Sequence, residues 1–306
     1  MTNKYASRKF IDLIQRATSK WANWDPPRKI AVGDYGTIIN ETGEFDWEGN
    51  IYSADFQEQL KLSKYKFNID FADSALLPNE HEGGDDHFIV KSWSATTKEV
   101  NTSTDVAAPG VVNVTLKFDF QFDGNKPAAV LIMHKPRYSS LPHDECIIRL
   151  LKSMPGVLKG KYIVTEVISC AAYMMHLSDR KAEKFSVTLK ADGPVTPTIN
   201  AGGAASFAWS SESAYGLPVK DATRPQHILP LYRLKQPRPK FWEWPFGHRG
   251  DEKAYDAIDR WEDVDPTWNP LDDEGEEHEL YDAEMHGDFG VSIMAILMTM
   301  TMTTEL

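Results

Sequence analysis

The sequence predicts an α+β chain built on a twisted, mostly antiparallel sheet, with an amphipathic helix at its start and two long β-ribbons within it. Three stretches carry this prediction. In Val111–Phe122 the even positions Val112, Val114, Leu116, Phe118, Phe120 and Phe122 are apolar. From residue 113 on, the odd positions Asn113, Thr115, Lys117, Asp119 and Gln121 are polar. This period-two pattern outlasts the usual strand of about 5–6 residues and, at about 3.3 Å per residue, reaches roughly 40 Å. The second stretch, Tyr162–Leu177, runs sixteen residues with Glu166 as its only charge. It turns at Ser178-Asp179-Arg180 and returns as Lys184–Lys190, where Phe185, Val187 and Leu189 alternate with polar residues. The third is Tyr5–Trp24, where Phe10, Leu13, Ile14, Ala17, Trp21 and Trp24 fall at helical spacing.

The remaining elements follow in order. Asp25-Pro26-Pro27 is the expected helix stop, since proline has no N–H and disfavours helix in the residue before it. Ile30–Ile39 and Glu44–Tyr52 read as strands around the turn Asn40–Gly43, with Phe45, Trp47 and Ile51 on one side. Lys64–Phe71 alternates again, Asn79–Asp86 reads as a polar loop, and His87–Val100 as a weaker strand. Asn101–Gly110 reads as a link into the long strand. Ala128–Met133 is a continuous apolar run suited to a central buried strand. A short helix is expected over Asp144–Ser153 and a loop over Asp192–Ala205; Phe207–Trp209 opens a strand and His227–Leu234 is the last one. The three prolines of Gln236–His248 mark a linker, and an acidic helical patch follows around Asp251–Trp261.

Charge is unevenly placed. Of the 45 acidic and 33 basic residues, Arg249–Leu306 holds 17 and 3, a net of −14, which leaves 28 and 30 for residues 1–248. An acidic tail on a near-neutral body with basic stretches suggests masking of a basic surface; a merely solubilising tail is the plain alternative. Polar Thr2-Asn3-Lys4 after Met1, with no apolar signal core, predicts a cytosolic chain. No stretch reaches the ~18 apolar residues of a membrane-spanning helix; Phe289–Met302 is short and broken by Ser292, Thr299 and Thr301. Cys146 and Cys170 make neither a disulfide framework nor a zinc pattern. The metal-like cluster Glu80–His87 has ligand types for a divalent cation but the composition of a solvated loop. There is no Gly-x-Ser-x-Gly, His-Glu-x-x-His, phosphate loop or dinucleotide fingerprint, so no enzyme, cofactor or metal site is expected. Nucleic-acid binding is disfavoured by the acidic total and the absence of a dense basic patch.

Several stretches then carry a resemblance. The basic N-terminal helix, Lys161–Ile168 leading into a long ribbon, and the ribbon ending in 111–122 resemble the pore-forming domain of the gasdermins. Trp21-Ala-Asn-Trp-Asp-Pro-Pro27, Val32-Gly-Asp-Tyr-Gly-Thr-Ile38 and Gly49-Asn-Ile-Tyr52 look like its fungal branch, whose members act in heterokaryon incompatibility. The resemblance spans about residues 4–235 and rests on the order of these pieces, none of which is a strict signature.

It implies a pore-forming domain over 1–235, a linker with a cleavage site over 236–250 and a short inhibitory segment over 251–306. The resting, cytoplasmic protein would be released by a protease, a serine protease being one candidate, or by an allelic partner. It would then bind acidic phospholipids at the cell membrane, extend its ribbons (87–122 and 162–190) as hairpins, and self-associate into a ring that closes a large β-barrel. By position, Lys4, Arg8, Lys9, Arg16, Lys20, Arg28 and Lys29 match the lipid-facing helix and its exit; Arg137, Arg149, Lys152 and Lys159 are a second basic candidate. Val112, Val114, Leu116, Phe118, Phe120, Ile163, Val167, Phe185, Val187 and Leu189 match the inserting faces. Phe241 or Phe246 is the expected residue before the cut, and the acidic charge with Phe289–Met302 the expected inhibitory contact. The tail is far shorter than the helical domain of animal members. Two other readings stay open: a soluble β-rich interaction module whose ribbons never leave the sheet, and a metal-dependent enzyme using residues 79–87.

Overall fold

A computed structural model describes residues 5–62, 73–83, 87–108, 111–122, 127–144, 147, 150–151, 156–178, 184–194, 206–212, 220–222, 228–237, 261–269 and 271. Helix α1 spans Ala6–Thr18, and a second helix, α2, spans Ala54–Leu62. The strands are β1 (Trp21–Ala22), β2 (Asp34–Ile38), β3 (Phe45–Asn50), β4 (Asn79–Glu82), β5 (His87–Lys91), β6 (Ala95–Ala108), β7 (Val111–Phe122) and β8 (Ala128–His134). They continue with β9 (Arg137–Ser140), β10 (Tyr162–Cys170), β11 (Ala172–Ser178), β12 (Lys184–Pro194), β13 (Ser206–Glu212), β14 (Lys220–Ala222), β15 (Ile228–Pro237) and β16 (Trp261–Asp263). The chain is thus mostly antiparallel sheet with an N-terminal helix.

Three sheets are stacked around one shared middle layer. The first has eight strands, with the path β1-β15-β10-β2-β3, β16 added to β15, and β9 and then β4 added to β10. The second is β14-β11-β8-β5 and the third β13-β12-β7-β6. The second sheet is the middle layer, and alternation assigns its two faces to two cores. Ala129, Leu131, Met133, Tyr173, Met175 and Leu177 pack with α1 and the first sheet. Ala128, Val130, Ile132, Ala172 and Met174 pack against the apolar face of the third sheet. Burial on both sides is why Ala128–His134 and Ala172–Ser178 read as continuous apolar runs instead of alternating. A third core joins Tyr35, Ile51 and Ile163 to Phe56 and Leu60 of α2 and to Leu76, Ile147, Leu150 and Leu158.

The central prediction holds over its full length: β7 is one strand of twelve residues. Elsewhere the structure corrects the expected elements. Helix α1 ends at Thr18, before the Asp-Pro-Pro stop. Thr18 Oγ1 bonds the Ile14 carbonyl at 2.8 Å and accepts from the Lys20 N–H at 3.2 Å, and Ser19 takes a left-handed conformation with φ 57°. Its side chain therefore competes for the backbone and unwinds the last turn. Trp21 consequently sits on β1, opposite Tyr232, and not on the helix. Trp47 is not buried with Phe45 and Ile51: it is 53% exposed, its Nε1 donating to Asp34 Oδ1 at 3.0 Å, and a bulge in the β2–β3 ladder follows it. The expected polar loop at 79–86 begins as β4, and the expected link at 101–108 belongs to β6, which pairs with β7 from Ala95 to Ala108. The apolar run 162–177 is two strands in two sheets. The path steps from one sheet to the other at Ala171, whose N–H bonds the His134 carbonyl at 3.0 Å, beside Lys135 with φ 50°. β12 accordingly pairs with β7 and β13, so it does not form a hairpin with β11. The run 192–205 starts as strand, since β12 extends to Pro194. The first residues of the expected linker, Gln236 and Pro237, are strand, and so is Trp261 of the expected acidic helix. Lys64–Phe71 lies outside the described residues, as does most of 144–153, of which Ile147, Leu150 and Leu151 are helical.

Candidate functional site

The feature with the densest long-range chemistry is the seat where residues 261–271 lie on α1. An isolated amphipathic helix would expose half its surface. Here Phe10, Ile11 and Ile14 are fully buried in the core, and Arg8, Lys9, Asp12 and Gln15 on the other side are buried as well. The cover includes the C-terminal segment. β16 extends the first sheet by pairing with the end of β15, Lys235 opposite Asp263 and Pro237 opposite Trp261. The Val264 N–H then bonds the Leu234 carbonyl at 3.2 Å, which aims the chain across the helix. The Val264 carbonyl accepts from Trp21 Nε1 at 3.1 Å and from Gln15 Nε2 at 3.4 Å.

Trp268 fills the gap that remains. It is 6% exposed, its Nε1 donates to Asp12 Oδ1 at 3.3 Å, and its ring meets Trp21 edge-on at 5.8 Å between centroids. The Arg8 guanidinium carbon lies 4.8 Å from the centre of the Trp268 ring, a cation–π distance. Gly43 makes room for the indole. Its φ is +73°, and a Cβ there would stand 2.9 Å from Trp268 Cη2.

Burial raises the Asp12 carboxyl above its ordinary value, against the opposing pull of Arg16, the Trp268 N–H and Arg8. Asp34, buried under Asn50, the Ala31 N–H and Trp47, is raised for the same reason. A raised folded-state pKa means the folded chain holds its proton more tightly than the unfolded one. Asp12 therefore adds stability as pH falls through its raised pKa toward 3.8, and costs stability above it. The difference in melting temperature between the native chain and Asp12→Asn should accordingly shift in favour of the native chain on acidification over that window; a flat difference contradicts this.

A charge ladder continues from the helix exit. Lys20 pairs with Glu166, whose other oxygen lies 3.6 Å from Arg233; Arg233 in turn lies 3.7 Å from Asp263 of β16. Glu166, the lone charge of its apolar run, thus ties α1, β10, β15 and the C-terminal segment together. Lys20, Glu166 and Arg233 are half-buried and Asp263 is exposed, so Glu166→Gln should cost about 1 kcal/mol in a urea melt and less at high salt.

The basic residues divide accordingly. Arg8 and Lys9, expected on the lipid-facing helix, are both buried. Lys20 is half-buried in its pair with Glu166. Arg16 is exposed and lies 3.0 Å from Asp12; Arg28, Lys29 and Lys159 are exposed, and Arg137 is exposed beside Glu82 at 3.2 Å. Lys4, Arg149, Lys152, Phe241, Phe246 and Phe289–Met302 lie outside the described residues.

The expected inserting residues also divide. Leu116, Phe118 and Phe120 of β7 stand opposite Leu189, Val187 and Phe185 of β12, and all six are buried. Val112 and Val114 continue β7 in register with Gly193 and Ala191. Thus β6–β7 and β12–β13 form one four-stranded sheet, closed along its middle by apolar cross-strand pairs. Lys117 and Lys190 lie exposed on the opposite face, with Asp119 and Thr188 half-buried between them. Ile163 and Val167 do not lie in this sheet. They belong to β10 in the first sheet, where Ile163 packs in the α2 core and Val167 in the α1 core. Among the described residues, no three His, Cys, Asp or Glu side chains gather into a metal-binding group; His81 stacks on Tyr138 at 5.4 Å. No described helix is long and apolar enough to cross a membrane, which says nothing about strands.

Sequence reasoning missed Trp268, Asp12, Gln15 and Gly43. Their contacts span more than 200 positions, and the only local sign was an aromatic residue in an acidic, turn-rich segment.

No protein-family profile matches this chain, and no protein of curated function matches it. Six chains of solved structure do. One is the cryo-EM structure of the Gasdermin A3 membrane pore, at 16% identity over 56% of this chain, with a TM-score of 0.14. The matched part spans 66% of that chain, just under two thirds of its length. A superposition at that score carries no inference about fold or function, which rest on the strand pairing and the contacts above.

Proposed function

We propose that this chain is a pore-forming effector of regulated cell death of the gasdermin type, fungal branch, and not an enzyme. The observation that carries the reading is the third sheet. Its strands β6, β7 and β12 have 14, 12 and 11 residues, against the about 9–11 that a membrane-crossing strand needs. Over Leu116–Phe122 of β7 and Phe185–Leu189 of β12 one face is apolar and buried on the middle layer and the other carries Lys117, Asp119, Ser186 and Thr188, which is the division a barrel wall requires between lipid and lumen. In hydrocarbon an open sheet edge finds no hydrogen-bond partners, so such hairpins work only when many protomers close a ring.

The resting state is held by the seat of residues 261–271. Arg8 is covered there by Trp268, and the exposed Arg28 and Lys29 follow the helix. Release of the segment would free the helix for acidic phospholipids at the cell membrane; before that the protein would rest in the cytoplasm. The activating cut, by a protease of the serine class or another, would fall within residues 236–250, with Phe241 or Phe246 as the residue before it. An allelic partner is the other possible trigger. The rival reading, a soluble interaction module, is favoured by the burial of Phe118, Phe185 and Val187, which a static fold also needs.

Electron microscopy separates them. Anionic liposomes treated with residues 1–246 should carry ring-shaped assemblies. Bare liposomes, with the truncated chain shown to be folded, would leave the interaction module.

A further inference from the structure

We propose that the Ser92–Ser94 turn between β5 and β6 is a docking element for anionic membrane surfaces, already presented by the resting fold. Trp93 at its tip is 91% exposed, against 53% for Trp47 and 46% for Leu77, the other large apolar side chains exposed among the described residues. Exposure of an indole on a loose loop would mean little, but this turn is fastened. The Ser92 N–H bonds the Ala129 carbonyl at 2.9 Å and Ser92 Oγ accepts from the Ala129 N–H at 3.0 Å. Ser94 Oγ donates to the Pro127 carbonyl at 2.6 Å, and the Ala95 N–H closes the turn on the Ser92 carbonyl at 3.0 Å. Ser92 itself is buried, so the turn is anchored on β8, inside the middle layer, and only Trp93 projects. Binding through it would therefore cost little ordering.

The surroundings select the partner. Lys91 and Lys98, both exposed, stand on the strands leading into and out of the turn, and Lys91 Nζ reaches across to Thr97 Oγ1 at 3.3 Å. A protein-binding hot spot is a tryptophan within an apolar patch that a partner can seal from water. Here the neighbours along the chain are Lys91, Ser92 and Ser94, and Trp47 and Leu77 sit on other elements. An amphipathic indole flanked by two cations suits the headgroup layer, where tryptophan settles and lysine meets negative charge. The partner is taken from the membrane reading above, but docking at rest needs neither cleavage nor a pore. It would bring the inactive chain reversibly from the cytoplasm to the surface it later attacks.

The test is co-sedimentation of the full chain with phosphatidylcholine vesicles, with and without phosphatidylserine. The native chain should bind only the anionic vesicles. Trp93→Ala should lower its partition coefficient roughly tenfold, with Trp93→Tyr retaining most of it. Lys91→Gln with Lys98→Gln should also weaken binding, and abolish most of its salt dependence. Because these side chains are exposed, melting temperatures should stay unchanged, which keeps each loss interpretable. Binding by Trp93→Ala equal to the native chain, binding indifferent to phosphatidylserine, or no binding by the native chain overturns the proposal. Dye retention read in the same tubes separates it from the pore reading. Trp93-dependent docking without leakage by any form supports the dock and removes the pore. Leakage by residues 1–246 together with Trp93-independent sedimentation of the full chain removes the dock alone.

Discussion

Trp268→Ala is expected to unseat the C-terminal segment while leaving the body of the protein folded. The indole fills a pocket formed by Trp21, Arg8 and the Gly43 turn, and its N–H satisfies Asp12. Removing a buried tryptophan side chain costs about 3–5 kcal/mol, and here that loss falls on one short segment. β16 would then hold through its short ladder with β15 and the Val264 bonds to Leu234, Trp21 and Gln15, which are too few to keep the segment ordered. Amide exchange in residues 261–268 and in Gln15 and Arg16 should accelerate by orders of magnitude, with β8 and β11 unaffected. Trp268→Phe, which keeps most of the packing and loses the hydrogen bond to Asp12, should fall between. Uniform acceleration across all three sheets would show that the segment is integral to folding and not a removable cover.

Phe185→Ala is expected to be the costliest single truncation in the third sheet. The ring is fully buried, lies 4.0 Å from the ring of His176 in a stacked arrangement, and stacks at 6.2 Å on Phe120 of the neighbouring strand. Its loss removes contacts both within the sheet and to the middle layer, so about 3–5 kcal/mol should disappear from the urea unfolding free energy. Thr188→Val, on the opposite face of the same strand, should change stability by no more than about 0.5 kcal/mol. An equal effect at the two positions would contradict the division into buried and open faces on which the barrel reading rests.

What was legible in the sequence is what local periodicity encodes. Val111–Phe122 is one strand, and over Thr115–Phe122 one face is buried and one open, so the alternation survives there unchanged. Ala128–Met133 announced its central place because both its faces are covered. The polar run at 101–105 concealed part of β6, because its pairing is dictated by the neighbouring β7 and leaves no apolar signature of its own. The run 162–177 concealed the step at Ala171. A chain buried on one side and then on both gives no composition change where it crosses between sheets. The end of α1 was misplaced because Trp21 continues the helical spacing, while the decision is taken by one hydroxyl, Thr18 Oγ1, and a left-handed serine. The seat on α1 was beyond reach for a different reason. Acidity suggested that the tail masks a basic surface through charge. The described contact is made by an indole, a valine carbonyl and a strand edge, with Asp263 and Asp265 at its margin.

This changes how release should work. A cut between β15 and β16 breaks the covalent tether but not the buried contacts, so the covering segment must still dissociate. Negative charge at the membrane and the exposed cations after α1 favour that step without being sufficient for it.

The most direct test is dye release from phosphatidylserine-containing liposomes by the full chain carrying an engineered protease site between residues 238 and 260, measured before and after cutting, alone and combined with Trp268→Ala. The predicted result is silence from the uncut chain, slow leakage after the cut, and much faster leakage when the cut chain also lacks the Trp268 indole. Equal leakage from cut and uncut chains, or none from any form that remains folded, would contradict a pore held shut by this seat.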